Sequence, residues 1–257
     1  MRKNTLRSTL TSGGVVVNGW LAIPSSFSAE VMAHQGFDSL TIDMQHGVVD
    51  YQAAVTMLQA ISTTSVIPLA RVPWGDPAWV MKLLDAGAYG VICPMISNRA
   101  QAEALVQICR YPPLGYRSFG PIRAKYYAGA DYHDHANDEI LVIAQIETNE
   151  ALENLDEILT VPGLDAVYVG PSDLSLAMGH QPRQGQNDAP VVAAKKRIVE
   201  ACKRHGVPAG IHNQTAEAAL SMVAEGYQFV TIASDDRFLS AKAGAEVAAM
   251  RKGLGRQ

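Results

Sequence analysis

Several short apolar runs in this chain end on, or lead straight into, groups that can hold a cation, move a proton or clamp an anion. Asp43 closes one run, with Gln45 and His46 just after it. Arg71 closes the next, Gln145 and Glu147 close a third, and a fourth leads through Gly170 and Pro171 into Ser172 and Asp173. Glu147 and Asp173 are carboxylates of the kind that bind a hard divalent cation while leaving positions for water and substrate oxygens. No third protein ligand stands out, which suits an ion with open positions that a 2-oxo acid fills through its carboxylate and keto oxygens. Arg71 carries a fixed charge able to stabilise an enolate oxygen. His46, three residues beyond Asp43, is a candidate base whose tautomer Asp43 would fix directly or through a water. Taken singly, each group is as well explained by a helix cap, a salt bridge or a loop histidine. Their joint appearance at the ends of apolar runs is what points to a site.

Lysine usage separates two routes to an enolate equivalent. Schiff-base chemistry needs a lysine inside the site. Lys82, Lys195, Lys196, Lys203 and Lys242 fall in helical patterns, Lys3 and Lys252 lie near the ends of the sequence, and Lys125 lies in a long irregular stretch. No apolar run ends in lysine, so the divalent-ion route is favoured. His133 and His135 sit among Asp131, Asp134, Asn137 and Asp138, the surroundings of a solvated loop, and receive no role. His212 ends a strand pattern and is either part of the site or a satisfied histidine at its rim. Trp20 either lines a substrate pocket or plugs the space between strands.

The elements that must bring these residues together follow from periodicity. Runs rich in Val, Ile and Leu at 15–23, 39–44, 66–72, 90–95, 140–147, 166–170, 208–212 and 229–233 read as buried strands. Helical patterns lie between them, including 50–61, 77–86, 101–110, 149–159, 191–204 and 216–225. Asp76 before Pro77 is a helix start with proline in the first turn, and Thr148 precedes an acidic first turn. Gly36, Gly87, Gly206 and Gly226 each follow a helical stretch and precede a strand, where a left-handed residue is wanted. Eight strand–helix alternations are the count that closes a (β/α)8 TIM barrel, with the side chains at the strands' carboxyl ends converging on one face. An open doubly wound sheet is the alternative, but it usually has fewer repeats and a Gly-rich first turn. Residues 111–138 are too long and polar for a simple connection, and 181–190 read as a mobile loop. Nothing suggests a second domain, so 1–257 is expected to form one barrel.

Composition narrows the function class. Of the 257 residues 48% are hydrophobic and 18% charged, which supports a large core. A formal charge of -4 without a Lys/Arg run gives no reason to expect nucleic acid. No signal-peptide pattern or long apolar run indicates export or a membrane. Cys93, Cys109 and Cys202 lack metal or redox spacing and read as buried thiols suited to the cytoplasm.

The segments GFDSLTIDMQHG, LARVPWGDP, KLLDAGAYGVICPM, YPPLGYRSFGP, IAQIETNEALENL and VYVGPSDLSLAMG, in that order and spacing, resemble the pyruvate-dependent class II aldolases of the 4-hydroxy-2-oxoheptanedioate and 2-dehydro-3-deoxyglucarate aldolase type. The resemblance runs from about Gly19 to the last helix. It implies Glu147 and Asp173 as metal ligands, His46 with Asp43 as the base dyad, and Arg71 as the residue holding the keto oxygen. It further implies Gln145 as a substrate or metal-water contact and the Ser172 and Asp173 amides as the cradle of the pyruvate carboxylate. The implied ion is Mg2+, Mn2+, Co2+ or Zn2+, and the implied assembly is a homo-oligomer, commonly a hexamer, with Asp85 and Arg123 near the site at a subunit boundary. One departure stands out: Gln45 occupies a position that is acidic in many members, leaving the aldehyde partner and the pH profile open.

These readings lead to one expectation: reversible aldol cleavage and addition between pyruvate, or a similar 2-oxo acid such as hydroxypyruvate, and an aldehyde. A related acyl-CoA lyase would need a basic surface for nucleotide phosphates, and none is identifiable. A barrel that has lost catalysis and serves as a binding subunit is opposed by the intact Glu147, Asp173, His46 and Arg71 set.

Overall fold

In a computed structural model, which describes residues 1–182 and 188–256, eight parallel strands close into a barrel in sequence order. They are β1 Val16–Leu21, β2 Ser39–Asp43, β3 Ile67–Arg71, β4 Gly90–Cys93, β5 Leu141–Ile146, β6 Ala166–Val169, β7 Ala209–His212 and β8 Phe229–Ser234. Each lies within or beside an expected run, and β1 pairs with β8 to seal the sheet without an edge. The helices are α1 Thr5–Thr11, α2 Ser26–Ala33, α3 Tyr51–Ile61, α4 Pro77–Asp85, α5 Arg99–Cys109, α6 Ala124–Ala128, α7 Tyr132–Glu139, α8 Asn149–Glu153, α9 Leu155–Leu159, α10 Pro171–Ala177, α11 Ala189–His205, α12 Ala216–Glu225 and α13 Asp235–Gly253.

Local chemistry sets the boundaries. The side chains of Asp50, Asp76 and Thr148 accept backbone N–H groups at the starts of α3, α4 and α8. Gly206 and Gly226 end α11 and α12 with φ of 68° and 110°, values that cost a side chain dearly and glycine little. The expected helix at 149–159 is split at Asn154 into α8 and α9.

Three expectations need correction. α1 was not anticipated: Asn4 caps it, and buried Leu6 and Leu10 close the amino end of the barrel, each contributing about 1.5–3 kcal/mol. The stretch 111–138 is not irregular throughout, because α6 and α7 lie in it, and His133 and His135 stand on a helix, not a loop. Arg117 orders this stretch. Fully buried, it lies over the Tyr111 ring at 4.5 Å, donates to Tyr132 Oη at 2.9 Å and pairs with Asp85 at 2.7 Å. Within 181–190, residues 189 and 190 begin α11, while 183–187 lie outside the described residues.

α13 is unlike the other helices. Its first residue, Asp235, is buried and accepts from the Ala22 amide and the Ser28 hydroxyl, both at 2.8 Å, tying the end of β8 to the turn after β1. From Asp236 to Arg256 every residue is exposed, including Phe238, Leu239, Val247 and Met250.

Candidate active site at the carboxyl ends of the strands

Asp43 and Arg71 end adjacent parallel strands in direct register. The guanidinium therefore meets the carboxylate as a fork, Nε to Oδ1 at 2.9 Å and Nη2 to Oδ2 at 2.7 Å. Asp43 Oδ1 also accepts the backbone N–H groups of Gln45 (3.0 Å) and His46 (3.2 Å), which folds the turn back over the strand end. Burial alone would raise the Asp43 carboxyl, but the hydrogen bonds and charge of Arg71, helped by the Trp20 indole and the His46 amide, hold it below the ordinary aspartate value. The Asp43–His46 pairing expected from their spacing thus takes a different form. Asp43 holds His46 by its backbone, its oxygens are committed to Arg71 and the turn, and the His46 side chain is exposed.

Across the mouth, Glu147 lies just past β5 and is 1% exposed. Its Oε1 accepts from the Met95 amide at 2.9 Å and its Oε2 from Gln145 Nε2 at 2.5 Å. Met95 presents that amide from φ 60°, a left-handed conformation that costs a non-glycine residue about 1–3 kcal/mol and is retained where the surroundings enforce it. Gly170 makes room for the carboxylate, since a Cβ there would stand 2.1 Å from Glu147 Oε2 and 2.9 Å from Gln145 Nε2. Gly170 also precedes α10, which has no side-chain cap, so the amides of Ser172 and Asp173 in its first turn are left for another acceptor. Asp173 sits in that turn, half-buried, close enough for its charge to act on Glu147.

The electrostatics of this half of the mouth fit a cation. Burial raises the Glu147 carboxyl, the Gln145 and Met95 hydrogen bonds oppose that, and the charge of Asp173 raises it further. Arg71 is the cation acting on Glu147, but its fork is already committed to Asp43. Gln145 Oε1 is buried without a partner, an acceptor left for a ligand or a bound water. Two carboxylates close enough to act on each other, with an orphaned amide oxygen on the Gln145 that holds one of them, fit a hard divalent ion. Among the described residues no cluster of three or more His, Cys, Asp or Glu forms.

A wall of rings completes the mouth. Trp20 is stacked on Tyr168 with centroids 5.7 Å apart, meets His212 edge-on at 5.0 Å and lies under the Arg71 guanidinium at 4.8 Å. Burial, then the charge of Arg71, pushes His212 down to about 4, so it is neutral at ordinary pH. Met95 and Tyr168 were not singled out from the sequence. A strained backbone carries no residue signature, and Tyr168 hides inside an apolar run. Asp85 ends α4 at the opposite end of the barrel, and Arg123 reaches Ser62 and the Ala86 carbonyl, so within one chain neither joins the site. A cavity of about 920 Å3 lies at the amino end of the strands beside Leu10, Lys203 and Tyr227, away from all these groups.

Comparison with known proteins gives a consistent result. Residues 19–241 match the family model described as HpcH/HpaI aldolase/citrate lyase. A hydroxypyruvate/pyruvate aldolase of Rhizorhabdus wittichii is 41% identical over 96% of this chain and 99% of its own length. A 4-hydroxy-2-oxo-heptane-1,7-dioate aldolase of Escherichia coli is 36% identical over 98% of this chain and 99% of its own. A crystal structure of a protein of the same family from Burkholderia cenocepacia superposes with a TM-score of 0.90 at 30% identity, covering 97% of this chain and 100% of that one.

Proposed function

Since the chain belongs to the HpcH/HpaI aldolase/citrate lyase family, we propose that it is a divalent-metal-dependent class II aldolase joining pyruvate, or a similar 2-oxo acid such as hydroxypyruvate, to an aldehyde and cleaving the product. The observation that carries this reading is the buried Glu147 carboxylate, raised by burial and by the charge of Asp173, while the one cation acting on it among the described residues, Arg71, has its fork committed to Asp43. A divalent ion (Mg2+, Mn2+, Co2+ or Zn2+) held by Glu147 and Asp173 would polarise the 2-oxo acid and stabilise charge as the enolate forms.

The chain's own residues supply the rest. The Ser172 and Asp173 amides receive the substrate carboxylate at the uncapped start of α10. Arg71, kept in one orientation by Asp43 and by the Trp20 face, points its charge at the keto oxygen, where negative charge grows on enolisation. Gln145 orients Glu147 and offers its free oxygen to a bound water or substrate hydroxyl. His46 moves the proton, directly or through a water, and Asp43 serves it by fixing the backbone from which it projects. In cleavage, the 4-hydroxyl loses its proton, the C3–C4 bond breaks, and its electron pair becomes the pyruvate enolate while the aldehyde leaves. Trp20, expected to touch substrate, is buried and instead backs the pocket by holding the Arg71 guanidinium over its ring. The barrel and its flanking helices act as one domain, in the cytoplasm, on small molecules and not on nucleic acid or membranes. No described helix is long and apolar enough to cross a membrane. We also propose a homo-oligomer, a hexamer as is common in the family. The 19-residue α13 leaves Leu239, Val247 and Met250 exposed, and a partner surface would supply the packing from which helices in proteins draw most of their stability.

The test follows deuterium from solvent into the methyl group of pyruvate by proton NMR, after chelation and after adding back each ion. Exchange that requires metal and is abolished in Glu147→Ala is expected. Absence of exchange with every ion in folded protein would refute pyruvate as the nucleophile.

A further inference from the structure

We infer that His212 selects the aldehyde: its neutral imidazole presents an Nε2–H donor to an oxygen substituent on the carbon next to the aldehyde carbonyl. The inference rests on the aldolase reading above and deepens it by naming the class of second substrate.

The donor identity follows from a chain of buried polar groups that runs up the inside of the barrel. Ser39 Oγ and Thr41 Oγ1 donate to Asn18 Oδ1 at 2.8 and 3.1 Å, and Asn18 Nδ2 donates to Thr231 Oγ1 at 2.9 Å. Thr231 Oγ1 lies 2.6 Å from Tyr168 Oη, which lies 3.1 Å from His212 Nδ1. Asn18, Ser39, Thr41 and Thr231 are fully buried, so a hydroxyl hydrogen without an acceptor there costs about 1–3 kcal/mol. One assignment gives every hydroxyl hydrogen in the chain an acceptor. Thr231 accepts from Asn18 and donates to Tyr168, and Tyr168 donates to His212 Nδ1. Were Tyr168 instead to donate to Thr231, whose oxygen can accept from Asn18 as well, the buried Thr231 hydrogen would have no acceptor among the described residues. His212 Nδ1 is therefore the acceptor, and the ring hydrogen sits on Nε2.

That Nε2 has no partner among the described residues, and it is not one of the enclosed, unpartnered atoms of the interior. The charged groups bearing on the ring are Arg71, which disfavours protonation, and Asp43, which favours it less strongly. With burial on the same side as Arg71, the ring is a neutral donor.

Position in the barrel says which substrate it meets. The groups assigned to the 2-oxo acid, Arg71, Gln145, Glu147 and Asp173, come from β3 and from the ends of β5 and β6. The remaining arc of the closed barrel, β7 through β8 and β1 to β2, carries His212, Trp20 and the His46 turn. The second substrate must approach the enolate against this arc, where His212 holds the unpaired donor. A hydroxylated aldehyde gives that donor an acceptor, and an alkyl aldehyde leaves it desolvated and unmatched.

The experiment compares kcat/KM for aldol addition of pyruvate to glycolaldehyde and to propanal, which place a hydroxyl or a methyl at the same position. Wild type is expected to favour glycolaldehyde. His212→Leu should lower the glycolaldehyde-to-propanal ratio about fivefold to tenfold, and His212→Gln, which keeps an N–H near Nε2, should restore part of it. Tyr168→Phe should lower the ratio by freeing the tautomer. Nitrogen-15 NMR of the wild-type imidazole reads the tautomer without any variant and should show the hydrogen on Nε2. An unchanged ratio in His212→Leu, an equal loss for both aldehydes, or a hydrogen on Nδ1 would overturn the proposal. Wild-type protein that fails to exchange deuterium into pyruvate would overturn the aldolase reading itself, an outcome separate from the aldehyde ratio.

Discussion

Gly170→Ala isolates the geometry of the carboxylate half of the site. Gly170 has φ -93° and ψ 92°, a conformation alanine adopts freely, so the substitution adds no backbone strain. What it adds is a methyl group 2.1 Å from Glu147 Oε2, 2.9 Å from Gln145 Nε2 and 3.3 Å from Glu147 Cδ. Opening the shortest of these to an ordinary contact of about 3.4 Å moves the carboxylate oxygen by more than about 1 Å, against a tolerance near 0.2 Å for metal–ligand distances. Overpacking of this size costs about 1–3 kcal/mol of stability, a few degrees in Tm for a chain of this length. A misplacement of about 1 Å at the reacting centre costs about 100-fold in rate. The expected outcome is a folded protein whose Mn2+ affinity, read by calorimetry, and whose metal-dependent exchange into pyruvate both fall by about that factor. Adding Glu147→Asp, which withdraws the carboxylate by one methylene, should recover part of the loss, a non-additive pair. Near-wild-type Mn2+ affinity and exchange in Gly170→Ala would refute the assignment of Glu147 as a ligand held against that glycine.

Arg71→Lys keeps the charge but loses the two-pronged bond to Asp43 and the flat face over Trp20. Steady-state kinetics should show kcat/KM down about 100-fold to 1000-fold, and a loss under tenfold would mean Arg71 does not clamp the oxyanion. Acid should destabilise the fold through two groups. His212 is depressed in the folded state from 6.5 to about 4, so its contribution is complete above pH 6.5 and is lost as pH falls toward 4, about 3 kcal/mol at most. Asp43, also held low when folded, loses its contribution in the same direction as pH falls through its folded value. Urea unfolding between pH 7 and 4 should therefore show a shallower pH slope in His212→Leu than in wild type, and an equal slope would show that the imidazole is not held neutral by the fold. Removal of the exposed part of α13 after Asp236 should reduce the assembly size measured by light scattering, and an unchanged size would show that α13 does not join subunits.

Much of the fold is legible because the strands are buried on both faces and so are written as continuous apolar runs, closed by the polar residues the site uses. Where the sequence falls short, the deciding contact is long-range. The α7 sequence YHDHANDE carries only Tyr132 and Ala136 as an apolar face among charged and polar residues, a weak helical signal, and Arg117, fifteen residues before Tyr132, is among the contacts that order the segment. α13 begins against β1 and β8 through Asp235, and that the rest of it stays exposed depends on what else packs there. The strain at Met95 exists because Glu147 needs its amide, a demand arriving from another strand.

The Asp43–His46 turn shows the same limit at the site itself. Spacing in sequence makes Asp43 and His46 look like partners, and they are neighbours in the chain. Which group takes the carboxylate is decided instead by the register of β2 against β3, which places Arg71 directly opposite Asp43. A fork of two charge-assisted bonds outcompetes one bond to an exposed imidazole, so His46 is left free to meet substrate or water. Gln45 belongs to this balance. With a neutral amide there, no second carboxylate stands between Asp43 and Asp50 to draw on the Arg71 charge, and the buried, unpartnered Gln45 Oε1 remains as an acceptor. The departure from an acidic residue therefore leaves the Asp43–Arg71 fork undivided, and its consequence falls on the acceptors available beside His46.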